Sequence, residues 1–328
     1  MIKLAVVGTN WITDQFVEAA LATEQFSLNA VYSRDIQRAQ EFGLKYHATH
    51  YYDKLEQLAD DTEIDAVYIA SPNALHTPQA ITLMQSGKHV ICEKPLGSNY
   101  NQVQQMFAAA HSNNVVLFEA FMSPYQPNFQ VIKDQLPSLG ALRKAQISYC
   151  QYSSRYQKYL NGENPNTFNP EFSNGSIVDI GYYCVASAIE LFGEPQTIKA
   201  TAHLLESGVD GSGSVLLGYE GFDVVIMHSK ISNSYVPSEF QGEDANLLVD
   251  MISTGRGVTK ISRQGAQTDL TLVQHSNPMF YEAHAFAQRI QQGKIDPKEQ
   301  QRSLIVAKVL TEIRRQTGVI FPADNIIE

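Results

Sequence analysis

Along the first third of the chain, short apolar and β-branched runs alternate with segments whose apolar residues recur at helical spacing. Residues 3–7 read as a strand, 14–21 as a helix with Phe16, Ala19 and Ala20 on one face, and 28–32 as a second strand, which together make a βαβ unit. A helix over 36–42, the apolar run 66–70, a helix over 78–84 stopped by Gly87 and the run 89–92 extend the alternation. Strands covered on both faces read as unbroken apolar runs, so this sheet is predicted to be parallel. A helix over 101–110 and a strand over 115–118 follow, and then Pro124 and Pro127 break the rhythm.

The boundary is placed at Met122. Beyond it the pattern predicts a helix over 129–135, a strand over 145–152 and one long helix over 177–191, then consecutive strand-like segments between 197 and 273. Strands in succession with few helices between them imply a mostly antiparallel sheet. Helical patterns over 281–291, with Phe286 and Ile290 on one face, and over 303–314 finish the chain. The expected architecture is α/β: a parallel-sheet domain over 1–122 and an α+β domain over 123–328 on a mostly antiparallel open sheet. Length agrees, since 328 residues exceed the roughly 250–300 at which a single core stops growing.

A net charge of −10 without a Lys/Arg-rich run argues against nucleic acid, because phosphate binding needs clustered cations. The apolar start at Met1 to Val7 meets a glycine at once, and no 18-residue apolar stretch follows. No secretion signal and no membrane span are expected, hence a cytoplasmic location. The three cysteines, Cys92, Cys150 and Cys184, are odd in number and widely spaced, which suits buried free thiols. His47 and His50 fall in a polar stretch with no third ligand at a recognisable spacing, so a surface loop is expected and no metal is assigned.

Gly8 lies between a predicted strand and a predicted helix, where a Rossmann fold turns backbone N–H groups and a helix N-terminus toward a pyrophosphate. In Gly8-Thr9-Asn10-Trp11-Ile12-Thr13 the second and third glycines of G-x-G-x-x-G are replaced by Asn10 and Thr13. Asn tolerates positive φ and Thr is small, so Gly8, Thr9, Asn10, Trp11 and Ile12 remain candidate contacts. On these residues alone a tight turn without a ligand explains the segment equally well. The second strand ends Val31-Tyr32-Ser33-Arg34-Asp35, where NAD sites usually present a carboxylate to the ribose. Ser33 and Arg34, assisted by Arg38, can hold a 2′-phosphate, which favours NADP; in the competing reading Asp35 takes the hydroxyl and the cofactor is NAD.

Three further motifs carry the chemistry. Glu93-Lys94-Pro95 puts a charged pair at the carboxyl end of a buried parallel strand, the edge where open α/β sheets bind ligands, and the proline restrains the direction of Lys94. Ser71-Pro72-Asn73 with His76 follows the preceding strand, and Asp179-Ile180-Gly181-Tyr182-Tyr183 opens the long second-domain helix. In that order these motifs resemble the glucose-fructose oxidoreductase, inositol dehydrogenase and rhizopine catabolism family of NAD(P)-dependent oxidoreductases over nearly the whole chain. Glu119-Ala120-Phe121-Met122 and the tyrosine-ended last motif are most similar to its dimeric dihydrodiol dehydrogenase and D-xylose dehydrogenase branch. The resemblance implies NADP, catalytic roles for Lys94 and Tyr183, and Asp179 in the same pocket. It also implies Ser71, Pro72, Asn73, His76, Glu93, Lys94 and Glu119 around the cofactor. Asn174-Gly175-Ser176 and Ser123-Pro124 depart from the residues that border the substrate pocket in relatives.

Asp179 and Tyr183 are four apart, hence on one face of the predicted helix. A phenol titrates near 10 and needs help to exchange protons at neutral pH. A cation about 4 Å away at an effective dielectric of about 20 favours the phenolate by about 4 kcal/mol, roughly three pKa units before desolvation opposes it. Lys94 is therefore read as the cation that brings Tyr183 into range. The expected partners are a small-molecule substrate, a sugar, polyol or diol, and further copies of the chain in a homodimer or higher homo-oligomer. A non-catalytic NADP(H) sensor and an NAD-dependent cyclic polyol dehydrogenase are the rival readings, and retention of both Lys94 and Tyr183 argues for turnover.

Overall fold

A computed structural model describes residues 1–325. The chain forms two compact units, Met1–Phe121 with His275–Ser303, and Met122–Gln274 with the chain from Leu304 onward. The first unit runs β1 (Ile2–Val7), α1 (Trp11–Ala22), β2 (Phe26–Tyr32), α2 (Ile36–Leu44), β3 (His50–Tyr52), α3 (Leu55–Asp60), β4 (Ala66–Ile69), α4 (Asn73–Gln85), β5 (His89–Glu93), α5 (Tyr100–Ser112) and β6 (Leu117–Ala120). Its sheet is parallel throughout, in the order β3-β2-β1-β4-β5-β6. In that order the chain reverses its direction of winding between β1 and β4, which opens a crevice at their carboxyl ends.

Several boundaries differ from the sequence reading. Helix α4 starts at Asn73, ahead of the expected 78–84, and carries Pro78 inside it, so Asn73 and His76 belong to its first turns. His50 lies in β3 rather than in a surface loop, and β3 and α3 are too short to register as periodic segments. The last strand of the sheet is Leu117–Ala120, two residues beyond the expected 115–118.

The second unit contains α6 (Pro127–Gln135), β7 (Leu142–Cys150), α7 (Tyr156–Leu160), α8 (Ser176–Asp179), α9 (Gly181–Phe192), β8 (Thr197–Leu204), β9 (Asp210–Tyr219), β10 (Phe222–Ser229), β11 (Ser238–Gly242), β12 (Ala245–Asp250), β13 (Gly257–Ser262) and β14 (Gln267–Asp269). The eight strands order as β14-β13-β12-β11-β7-β10-β9-β8, and every pair except β7 with β10 is antiparallel. Helix α9 buries Tyr182, Cys184, Val185, Ala186 and Ala188 against β7 and β10. Cys92 and Cys184 are buried free thiols as expected, whereas Cys150 is only half-buried.

Two helices follow, α10 (Met279–Gln292) and α11 (Pro297–Thr317). Helix α10 belongs to the first unit and packs along α1, and its fully buried Phe286 sits 6.1 Å from the ring of Phe26 and 5.7 Å from that of Phe118. Among the described residues no single helix is long and apolar enough to cross a membrane.

Candidate active site

The carboxyl edge of the parallel sheet gathers most of the residues read from the sequence as cofactor contacts. Gly8 follows β1 at φ +106, a left-handed conformation that favours glycine, and a Cβ there would lie 3.1 Å from the Ala70 carbonyl oxygen. Asn10 does not take the positive φ expected of a glycine substitute. It is extended (φ −89, ψ 176) and caps α1, its Oδ1 accepting from the N–H groups of Ile12 at 2.9 Å and Thr13 at 3.3 Å. Its Nδ2 donates to the Ala70 carbonyl at 2.9 Å, so the loop after β1 is tied to the loop after β4. Trp11, the sole tryptophan, opens α1 and is 69% exposed.

Ser33 and Arg34 stand at the end of β2, the serine half-buried and the arginine exposed. Asp35 caps α2, accepting from the N–H groups of Gln37 at 3.0 Å and Arg38 at 3.4 Å, and it also pairs with the Arg38 guanidinium at 3.5 Å. Ser71 Oγ donates to Gln79 Oε1 at 2.6 Å, and Pro72 stands immediately before α4.

Lys94 follows β5 on a turn held from three sides, and its peptide bond to Pro95 is cis. The Tyr68 hydroxyl donates to Glu93 Oε1 at 2.6 Å, from a ring that is fully buried and stacked on Phe16 at 3.8 Å. Burial and the neighbouring Glu93 carboxylate push the Tyr68 phenol well up, so it stays a donor. His76 is wholly buried, its ring nitrogens 2.9 Å from the Pro95 and Ser71 carbonyls, and burial lowers its pKa. Glu119 is buried too, accepting from the Leu96 N–H at 3.3 Å and the Ser303 hydroxyl at 2.5 Å. The residues flanking Lys94 are thus fixed by side chains from β4, α4 and β6.

The second unit presents Asp179 and Tyr183. They do not share one continuous helix: α8 ends at Asp179 and α9 begins at Gly181, with the Tyr183 N–H bonded to the Ile180 carbonyl three residues back, at 3.2 Å. Gly181 sits at the break because a Cβ there would lie 3.0 Å from the His228 ring. The Tyr183 ring faces Tyr149 of β7, centroids 5.9 Å apart. The Asp179 carboxylate, 33% exposed, forms an ion pair with Lys230. Beneath them His228 Nδ1 is 2.9 Å from Ser176 Oγ and 3.7 Å from Asp210 Oδ2, and that same oxygen accepts from the Ile177 N–H at 2.6 Å. Burial pushes Asp210 up to about 7 and His228 down to about 3.

Sequence reasoning missed Lys230, His228, Asp210 and Glu282. Their signal is faint: Val224, Ile226 and His228 alternate inward along β10, and Lys230 continues that parity. Glu282 on α10 is 1% exposed, neither of its carboxyl oxygens has a hydrogen-bond partner among the described residues, and burial followed by the nearby Glu93 drives it well above the carboxylate range. Among the described residues no group of His, Cys, Asp and Glu could hold a metal ion.

A doubly wound parallel sheet with a glycine turn at its switch point and a buttressed lysine on its carboxyl edge, joined to an antiparallel α+β unit, defines a dinucleotide-binding oxidoreductase. Residues 2–121 match the oxidoreductase family with an NAD-binding Rossmann fold, and residues 135–247 match the GFO/IDH/MocA C-terminal domain. The chain belongs to this family of NAD(P)-binding oxidoreductases. It is 52% identical to the uncharacterized oxidoreductase YgjR of Escherichia coli, with 99% of each chain covered. It is 47% identical to scyllo-inositol 2-dehydrogenase (NADP(+)) IolU of Bacillus subtilis, over 99% of this chain and 100% of the relative. A 3-ketoreductase from Actinomadura kijaniata, solved in complex with NADP and TDP-benzene, shares the fold with a TM-score of 0.86 at 23% identity, over 96% of this chain and 98% of that one.

Proposed function

We propose that the protein transfers hydride between NADP and the carbinol carbon of a polyhydroxylated substrate, a cyclic polyol or a sugar. The observation that carries this reading is the Lys94 turn, whose neighbours are pinned by Tyr68, His76 and Glu119. A lysine held at the ligand-binding edge of such a sheet is pre-organised for chemistry. The NADP preference is supported by β2, where Asp35 is committed to the α2 cap and to Arg38, which leaves Ser33 and Arg34 to meet a 2′-phosphate. It is also supported by the full-length relative that uses NADP(+) on scyllo-inositol.

Gly8 in its left-handed turn and the surface-facing start of α1 fit a pyrophosphate. When bound, the nicotinamide supplies the hydride acceptor or donor. The chain's own residues then move one proton: Tyr183 takes it from the substrate hydroxyl in oxidation and returns it to the carbonyl oxygen in reduction. The Lys94 ammonium polarises the substrate oxygen, and the Asp179 carboxylate accepts a substrate hydroxyl. His76 and Glu119 keep the Lys94 turn in place.

Trp11 gives a direct readout, since it is the sole tryptophan and opens the helix after the glycine turn. Titration of its fluorescence is expected to show NADPH binding at least about tenfold tighter than NADH, a difference of about 1.4 kcal/mol. Turnover is expected with scyllo-inositol or a related polyol. Lys94→Ala and Tyr183→Phe should each lower kcat about 100-fold or more while NADPH affinity stays within a few-fold. Tighter binding of NADH would remove the Ser33–Arg34 reading, and native rates in both variants would remove the mechanism.

A further inference from the structure

Strand β10 is followed at once by a lysine whose backbone is held on both sides: the Lys230 N–H donates to the Gly211 carbonyl, and the Lys230 carbonyl accepts from the Ser153 N–H, each at 2.8 Å. Its side chain is 6% exposed and its ammonium lies over the Phe168 ring, 5.9 Å from the centroid. A lysine this deeply buried is costly unless its charge is paired. Its partner is Asp179, a carboxylate that the proposed reaction uses.

We infer that Lys230 is a positioning residue for the reaction: it keeps Asp179 ionised and directed, so that Asp179 accepts a substrate hydroxyl while the reacting proton stays with Tyr183. The inference rests on the roles proposed above for Lys94, Tyr183 and Asp179. An adjacent cation favours the carboxylate form, and a carboxylate so stabilised is a good hydrogen-bond acceptor and a weak base. It therefore orients the carbinol without deprotonating it. Lys230 also offsets a negative charge that, left bare four residues before Tyr183, would disfavour the phenolate.

The ionisable groups around this pair come from several elements. Lys230 acts on Asp210 of β9 as well as on Asp179, and Asp210 lies beside His228 of β10. Tyr183 of α9 follows Asp179, its ring against Tyr149 of β7. Loss of the cation should raise the pKa of Asp179 and move the acid limb of the pH profile upward.

The test is the pH dependence of kcat/KM for the full-length protein with NADP(H) and whichever polyol it turns over, in Lys230→Met, Lys230→Gln and Lys230→Arg, with Tyr183→Phe as the reference. Lys230→Met and Lys230→Gln are expected to lose about tenfold or more, the equivalent of one pKa unit of differential stabilisation. Their acid limbs should shift upward by about one pH unit or more, with NADPH affinity unchanged. Lys230→Arg should restore the native profile. Either uncharged variant serves if the other does not fold. A native profile in the uncharged variants, alongside an inactive Tyr183→Phe, overturns the role of Lys230 and leaves the mechanism standing. Reduced activity with an unshifted acid limb and no rescue by arginine reduces Lys230 to a fold-holding residue and also overturns it. A fully active Tyr183→Phe overturns the mechanism itself, and the role of Lys230 with it.

Discussion

Asp210 and His228 are two buried titratable side chains that between them hold one proton. Burial drives the imidazole down to about 3 and the carboxyl up to about 7. Between about pH 4 and 6.5 the folded pair therefore carries its proton on the aspartic acid, while in the unfolded chain the same single proton sits on the histidine. Proton counts match, so the pair contributes almost no slope of stability with pH in that window. Each single substitution uncovers a slope. In His228→Asn the raised Asp210 carboxyl remains: the folded state holds a proton that the unfolded state lacks, so stability falls as pH rises from about 4 toward 7. In Asp210→Asn the depressed His228 remains, the unfolded state holds the extra proton, and stability falls as pH drops below about 6.5. Either slope approaches about 1.4 kcal/mol per pH unit. Urea midpoints from pH 4 to 7, taken relative to the native protein, are expected to tilt in opposite directions for the two variants. Tilts of the same sign would show that the proton is not shared. Neither residue was legible as a pair, because Asp210 of β9 and His228 of β10 come within 3.7 Å only in the folded sheet, while the sequence shows two polar residues 18 positions apart.

At the scale of elements, α1 shows how a motif can be read in the right place for the wrong reason. From sequence, tolerance of positive φ accounts for Asn10 in place of the second glycine; in the fold Asn10 stays extended and its side chain bonds back onto the helix. The carboxamide thereby supplies at the helix start what the sequence reading sought in backbone freedom. Asn10→Ala should cost about 1 kcal/mol, the usual worth of an N-cap, with Asn10→Ser recovering most of it. Denaturant titrations of the two variants check this, and a native midpoint for Asn10→Ala would mean that α1 is held by its packing alone. Long periodic segments such as α5, α9 and α10 were legible because an apolar face repeats over three or more turns. The break at Ile180 was not, since Gly181 is there to admit the His228 ring, a contact that no local pattern encodes. The common helical face for Asp179 and Tyr183 was accordingly the wrong geometry for two residues that the Lys230 pair and the Tyr149 ring place individually.

For the molecule as a whole, the parallel character of the first sheet was readable from its unbroken apolar strands, but the order of those strands and the membership of the C-terminal helices were not. Amphipathicity says that a helix buries a face and does not say against what. The first unit takes back residues His275–Ser303 after the second unit's sheet is complete. We propose on this basis that 1–122 is not a self-sufficient dinucleotide-binding domain. A fragment ending at 122 lacks α10, which covers α1 and places Phe286 beside Phe26 and Phe118. Loss of a fully buried phenylalanine alone costs about 3–5 kcal/mol, against a total stability of about 5–15 kcal/mol for a typical domain. The fragment also loses the Ser303 hydroxyl bonded to Glu119, one of the residues that fix the Lys94 turn. Fragment 1–122 is therefore expected to melt without a cooperative transition, to bind a hydrophobic dye and to lose NADPH affinity, whereas the same fragment joined by a flexible linker to 275–303 should regain a cooperative melt. A cooperative transition and native NADPH affinity in 1–122 alone would place the whole cofactor-binding core in the contiguous N-terminal stretch and make α10 a dispensable cover.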